Sequence, residues 1–281
     1  VLNAFDYSLP QSRERIFIVG IRKDVDTGRF TFPKKHKNLP ILVDVMENEH
    51  SSQEVYSNAL NDTSGFRMAS VLNKGNFFIF SDVRNGDHTI HSWDLIPTTV
   101  VEKEICLRIL KNRRRKTYGE KDGNPMSADA ILALFGNKDI EGFTVKKKDI
   151  LSLVNKKILR KVEDKFEFTN SKISAGINGI YRIFLPQSHT FSTLTKSGSR
   201  DFVTDVIIPA DLSDKKEYFL KEIYGRKNFR PVTVREGARM QGFPDEFEFN
   251  TEYSTSLGLL GNSLAVSIAK EIADNLVKSV K

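Results

Sequence analysis

Apolar residues recur along this chain with two different periods, and the switches between them mark its elements. Ile16-Phe17-Ile18-Val19 is a short β-rich apolar run that predicts a buried strand, placed after a turn signal at Leu9-Pro10-Gln11-Ser12. Ile41 to Glu47 reads as a short helix, and the run from Phe77 to Val83 as a strand followed by an Asn85-Gly86 hairpin turn signal. Val101, Ile105 and Ile109 then repeat at helical spacing. Ser127 opens a capped helix that ends at Gly136. A second helix is predicted from Thr144 to Leu159, with Ile150, Leu153, Val154 and Ile158 on one side. Arg160 to Asn170 reads as a hairpin turning near Glu163-Asp164, and Tyr181 to Leu185 as a strand. Near the end, Ala265, Ile268, Ala269, Ile272, Ala273 and Leu276 place one apolar face on a long helix.

One stretch carries its own start and stop. In Arg230 to Phe247 (RPVTVREGARMQGFPDEF), Thr233 stands three residues before Glu236, the spacing of a reciprocal capping box. Gly242 is a natural left-handed stop and Pro244 bars continuation. A short helix is expected, with Arg235 and Arg239 close together on one side.

Composition leaves this picture in the class of globular proteins. The chain has 281 residues, 39% hydrophobic and 28% charged. No apolar run approaches the ~20 residues of a membrane span. The single cysteine, Cys106, excludes an internal disulfide and a Cys-based metal site, and five scattered histidines offer no metal spacing. No metal is therefore expected, and the chain reads as intracellular. Ser51 to Gly65 is polar and turn-rich, a linker or surface loop. The first residue is Val1, not Met, which points to a fragment or processed chain.

Charge changes the picture more. The formal net charge is +7, and residues 101–170 hold 17 Lys and Arg against 11 Asp and Glu, so almost all the surplus sits in the middle. Such a local excess is the footprint of a nucleic-acid surface, or, more blandly, a solvated basic face. Arg113, Arg114 and Arg115 follow the helix of Val101 to Asn112, where cations favour the helix dipole or meet phosphate. Lys146, Lys147 and Lys148 open the second helix. Helix, helix, basic hairpin is the order of a winged helix-turn-helix, whose second helix enters a major groove; the alternative is a packed helical pair whose basic face meets only water. Trp93 reads as packed, and His88 and His91 as structural, against a DNA contact. Arg13 and Arg15 lie two apart, so on a strand they share a side and form a fork for phosphate or a base edge.

The two most patterned blocks carry a resemblance. N-A-x-D-Y-x-x-P-Q-x-R-E-R at residues 3–15 and R-x-x-T-x-R-E-x-A-R-x-Q-G-F-P-D at 230–245 are similar to motifs VIII and IX of DNA (cytosine-5)-methyltransferases. Gly261-Asn262-Ser263, before the last helix, resembles motif X. The Ser/Thr/Gly-rich segment around Phe191 to Gly198 is similar to the family's variable recognition region, with Thr193-Leu194 as its Thr-aliphatic pair.

The resemblance implies an α/β fold: the C-terminal fragment of a Rossmann-like methyltransferase domain plus a mixed α+β target-recognition domain with a winged-helix-like insert. The implied ranges are 1–48 for the catalytic-domain strands, 49–229 for target recognition, 230–250 for the motif IX scaffold and 251–281 for the returning helix. It implies Arg15 at the flipped cytosine, Arg13 at the nearby DNA backbone, and Gln11 supporting the loop. It places Asn262 and Ser263 beside S-adenosylmethionine. Thr193, Leu194, Lys196, Ser197, Arg235 and Arg239 join the basic residues above as candidate contacts to double-stranded DNA, with internal carboxylates as the alternative partners of Arg230, Arg235 and Arg239. The expected setting is a cytoplasmic, nucleoid-associated restriction–modification enzyme of bacterial type, with no membrane partner.

The family's Pro-Cys nucleophile, Gly-rich cofactor loop and Glu-Asn-Val block have no counterpart here, so the chain alone is expected to be inactive and to need an N-terminal catalytic half or subunit. A stand-alone DNA-binding module and an RNA cytosine methyltransferase fragment are the alternatives. The long basic insert favours DNA.

Overall fold

The computed structural model describes residues 1–38, 40–47, 77–136, 144–172, 175–195, 200–209, 211–249 and 251–280. Its elements run in chain order as β1 (Leu2–Asn3), β2 (Glu14–Arg15), β3 (Phe77–Phe80), β4 (Thr89–Ile90), α1 (Ser92–Leu95), α2 (Val100–Asn112), β5 (Met126–Ser127), α3 (Ala128–Ala133), α4 (Lys147–Asn155), β6 (Leu159–Val162), β7 (Lys165–Phe168), β8 (Arg182–Phe184), β9 (Asp201–Val203), α5 (Lys215–Tyr218), α6 (Val234–Met240), α7 (Tyr253–Asn262) and α8 (Val266–Lys278). The chain is thus a mixed α/β protein. It divides into two compact units, Val1–Phe77 with Ile183–Lys281, and Phe78–Arg182. The middle unit is narrower than the 49–229 segment expected from the sequence. The predicted linker at 51–65 lies outside the described residues.

In the middle unit, α2, α3 and α4 pack together beside an antiparallel sheet of order β5-β7-β6. The register pairs Met126 with Phe166 and Leu159 with Phe168. One core serves both layers: Ile105, Cys106 and Ile109 from α2, Ile131 from α3, Ile150 and Leu153 from α4, and Phe166 and Phe168 from β7.

Polar groups fix the helices where the apolar faces only bring them together. Thr99 Oγ1 accepts the Glu102 N–H at 3.2 Å, and a Glu102 carboxylate oxygen accepts the Thr99 N–H at 2.7 Å, a capping box at the start of α2. The same buried carboxylate accepts hydrogen bonds from Ser152 Oγ and Lys156 Nζ, both about 2.7 Å away, and so fastens α2 to α4. Burial alone would raise the Glu102 pKa. The Lys156, Ser152 and Thr99 hydrogen bonds outweigh it and hold the acid below the usual carboxylate value.

The β6–β7 hairpin turns at Glu163-Asp164 as predicted, with Glu163 at φ 57°. The Asn85-Gly86 signal does not make a hairpin: β3 and β4 run parallel, Ile79 opposite Thr89, so the loop between them returns the chain to the same end of the pair. Trp93 is buried and stacks on the His91 ring at 4.2 Å, the packing role read for both.

In the other unit, β1 and β2 pair antiparallel, Leu2 opposite Arg15. The strand predicted at Ile16–Val19 does not form. Burial along that segment alternates, with Phe17 and Val19 packed against the core cluster that includes Tyr7, Ile268 and Ile272, while Ile16 and Ile18 are 76% and 91% exposed. A four-residue apolar run cannot say whether one face or both will be covered. Leu42–Val45 is a single 3-10 turn, and its Leu42 and Val45 join Phe184, Phe191, Leu194, Val203, Val232 and Met240 in a second core. Helix α8 buries Ile268 and Ile272 as its spacing predicts, although Ala273 on the expected face is exposed. Among the described residues no helix is long and apolar enough to cross a membrane.

Candidate functional site

Arg13 joins three segments far apart in the sequence. Its guanidinium is 2% exposed and donates from Nη1 to the Leu194 carbonyl at 3.3 Å, and from Nη2 to the carbonyls of Gly261 and Ser263 at 2.8 and 2.7 Å. A planar fork with five donors can do this; an ammonium cannot. No carboxylate is among these partners. Desolvation, and secondarily Arg15, pull the Arg13 pKa down to about 10, which still leaves it charged at neutral pH. The loop that bears it is held from both sides: Ser12 N–H donates to the Phe191 carbonyl at 3.2 Å and Phe191 N–H to the Pro10 carbonyl at 2.7 Å. Beside it Gln11 is wholly buried, with neither of its side-chain polar atoms hydrogen bonded.

Arg15 has a different environment. It is half-buried, and Nη1 donates to the Glu14 carbonyl at 2.7 Å. Of the two arginines, Arg13 is buried and Arg15 is only half-buried.

Helix α6 supplies the frame. Thr233 Oγ1 accepts the Glu236 N–H at 3.1 Å and Glu236 accepts the Thr233 N–H at 2.9 Å, the capping box expected from T-x-x-E. Gly242 ends the helix at φ 78°. Glu236 is fully buried, and besides capping it accepts Arg230 through both oxygens at 2.7 and 2.8 Å and the Glu47 N–H at 2.9 Å. Burial pushes its pKa up, yet these bonds win and hold it below the usual carboxylate range. Gly237 lets α7 approach: a Cβ there would sit 3.3 Å from Leu260 Cδ1. The end of α6 then grips the α7–α8 turn, with Gln241 Nε2 donating to the Leu260 carbonyl at 3.1 Å and the Gln241 carbonyl accepting the Val266 N–H at 2.8 Å.

The remaining predicted residues distribute unevenly. Arg239 is bidentate to Asp245 at 2.7 and 2.8 Å, and Arg235 Nη1 donates to the Phe247 carbonyl at 2.9 Å, so both expected DNA contacts are engaged within the chain. Leu194 is a core residue whose carbonyl serves Arg13. Thr193 Oγ1 donates to the Ser12 carbonyl. Lys196 and Ser197 lie outside the described residues. Arg113 is 6% exposed, against Gly123 and Phe168; Arg114 pairs with Asp122 at 2.8 Å, and Arg115 is exposed. Lys146, Lys147 and Lys148 are all exposed.

Asn262 is the last residue of α7 and is exposed; the residue capping α8 is Ala265. Ser263, part-buried, lines a cleft of about 290 Å³ with Phe243, Phe247, Phe249 and Leu259. What sequence reasoning missed is the carbonyl set of Leu194, Gly261 and Ser263, because backbone acceptors leave no trace in residue identity. Glu236 was legible as a cap, but not as the anchor of Arg230.

The blocks brought together by Arg13 and Gln241 have relatives. The chain is 37% identical over 276 residues to the type II methyltransferase M.HgiBI of Herpetosiphon aurantiacus, covering 94% of this chain and 62% of that protein. It is 36% identical to the type II methylase M.HgiEI of the same organism, over 98% of this chain and 64% of that one. A more distant relative is the type II methyltransferase M.NlaIV of Neisseria lactamica, 26% identical over all of this chain and 63% of its own length. The chain therefore spans somewhat less than two thirds of the curated relatives it matches. The family model described as C-5 cytosine-specific DNA methylase matches residues 1–278, and the chain belongs to that family.

Proposed function

We propose that this chain is the C-terminal, target-binding part of a DNA (cytosine-5)-methyltransferase of restriction–modification type, acting on double-stranded DNA. The observation that carries this reading is the Arg13 hub, which ties the motif VIII loop, the Thr193-Leu194 segment and the Gly261-Asn262-Ser263 turn into one rigid joint. Such a joint keeps Arg13 in the interior while the neighbouring Arg15 stays only half-buried. Arg15 is then the group placed to steady negative charge that builds on a pyrimidine when C6 is attacked.

S-adenosylmethionine, when bound, supplies the methyl group. The exposed Asn262 amide and the neighbouring Ser263, at the rim of a cleft, fit one edge of such a ligand, and these residues would hold it there. The nucleophile comes from elsewhere. Cys106, the sequence's one cysteine, is wholly buried in α2, and burial with the nearby Asp82, Glu102 and Asp94 pushes its thiol well up, so it stays protonated and out of reach. A part carrying a Pro-Cys block, in the same polypeptide or as a partner, would complete the enzyme.

The test is methyl transfer from labelled S-adenosylmethionine to duplex DNA. The chain alone should give none, and addition of the Pro-Cys-bearing part should restore it at cytosine C5. Robust methylation by the chain alone would overturn the division of labour. Binding to tRNA over duplex DNA across a salt series would move the reading to the RNA branch.

A further inference from the structure

The sequence order singled out a helix pair followed by a basic hairpin, and nothing in the proposed chemistry uses it. In the structure, α2, β5, α3, α4, β6 and β7 form three packed helices beside a β5-β7-β6 antiparallel sheet. That is the element order and strand order of a winged helix, in which the helix before the hairpin enters a DNA major groove.

Burial along α4 is one-sided in the way such a helix needs. Ile150 and Leu153 enter the core, and Ser152 is tied to Glu102. The opposite arc carries Lys147, Lys148, Leu151 and Asn155, all exposed, and these four fall within about 100° of one another at 100° per residue. Leu151 is 45% exposed, an apolar side chain on the arc that also carries Lys147 and Lys148. Two cations for phosphate, an amide for an adenine edge and an aliphatic group for a thymine methyl are the side-chain types that read a major groove. The one acid in the first turn, Asp149, is taken up by the Lys146 N–H at 2.8 Å. The β6–β7 turn is the opposite: its tip is Glu163-Asp164, both exposed, so it would repel phosphate.

Resting on the duplex-DNA reading above, we infer that α4 is the groove-reading helix of this chain: Lys147 and Lys148 hold phosphates, Leu151 and Asn155 meet base edges, and the acidic hairpin tip stands off the backbone.

The experiment is fluorescence anisotropy of a labelled duplex against the full 281-residue chain over a salt series. Lys147→Ala with Lys148→Ala should weaken binding at least tenfold, and the slope of log K against log salt should become shallower by roughly 1.8, the share of two phosphates. Leu151→Glu, which puts an acid on the same face, should weaken binding by a similar factor, and keeps the inference testable if the double variant misfolds. Exposed lysines on α2, Lys103→Ala with Lys111→Ala, should change neither quantity. If the unaltered chain binds duplex but the α4 variants bind with the same affinity and slope, the inference fails and the family-based function stands. If the unaltered chain binds no duplex at all, both fail.

Discussion

Arg230 of the outer unit and Lys148 of the middle unit are both long cations at short helices, yet their surroundings differ completely. Arg230 is closed on Glu236 and Asp205, with Glu236 itself capping α6. Lys148 stands exposed on the first turn of α4, where the local acid, Asp149, serves the backbone. The pattern extends beyond the pair. In the outer unit Arg13, Arg235 and Arg239 all donate to groups of their own unit. In the middle unit the lysines at 146–148 face outward, while the buried Glu102 is spent on joining α2 to α4. A basic sequence motif is therefore no guide to a DNA contact until its carboxylates and carbonyls are counted. On the account above, Arg13, Arg230, Arg235 and Arg239 hold the outer unit's scaffold, while Lys147 and Lys148 of the middle unit are offered to a partner.

The strongest way to break that comparison is to remove Arg13. Arg13→Ala leaves three carbonyls without their donor and should destabilise the outer unit by about 3–5 kcal/mol, read by thermal unfolding. Arg13→Lys should recover only a part, because one ammonium cannot span the fork. A loss under about 1 kcal/mol for the alanine variant would mean that the hub is not structural. Next, Glu236→Gln should cost about 3 kcal/mol, since it strips Arg230 of its buried partner. The counterpart in the middle unit, Glu102→Ala, should cost about 2 kcal/mol, less because Lys156 is partly in water.

Acid sharpens the same contrast. Both glutamates have folded pKa values below 4.5, so their contribution is fully present above that value and is lost as pH falls through the folded values. The melting temperature should hold from neutral pH to about pH 5 and then drop, and Glu102→Gln and Glu236→Gln should each flatten the drop. The smallest effect is predicted for Arg239→Ala. Its partner Asp245 is exposed, so duplex affinity should stay within about twofold of the unaltered chain. A tenfold loss would return α6 to the DNA interface.

Much of this is legible in the sequence. The T-x-x-E box, the Gly242 stop, the apolar face of α4 and the Glu163-Asp164 turn depend on neighbours within a few residues, so local spacing contains them. The failures share a cause as well. The Ile16–Val19 run alternates between core and solvent because only one of its faces is packed, and β3 and β4 are parallel because of what the loop between them does. Leu194 and Arg113 read as surface contacts from their motif and charge, yet tertiary packing draws both inward. The hub itself was half visible: Arg13 was named for its chemistry, but its partners are backbone carbonyls at 194, 261 and 263, which any residue could have supplied.

Hydrogen–deuterium exchange of the 281-residue chain with and without duplex DNA tests the division between the two units directly. The account predicts that duplex slows exchange over residues 146–157, covering α4, and leaves α6 at 234–240 unchanged. Protection confined to 234–240, with none over α4, would contradict it.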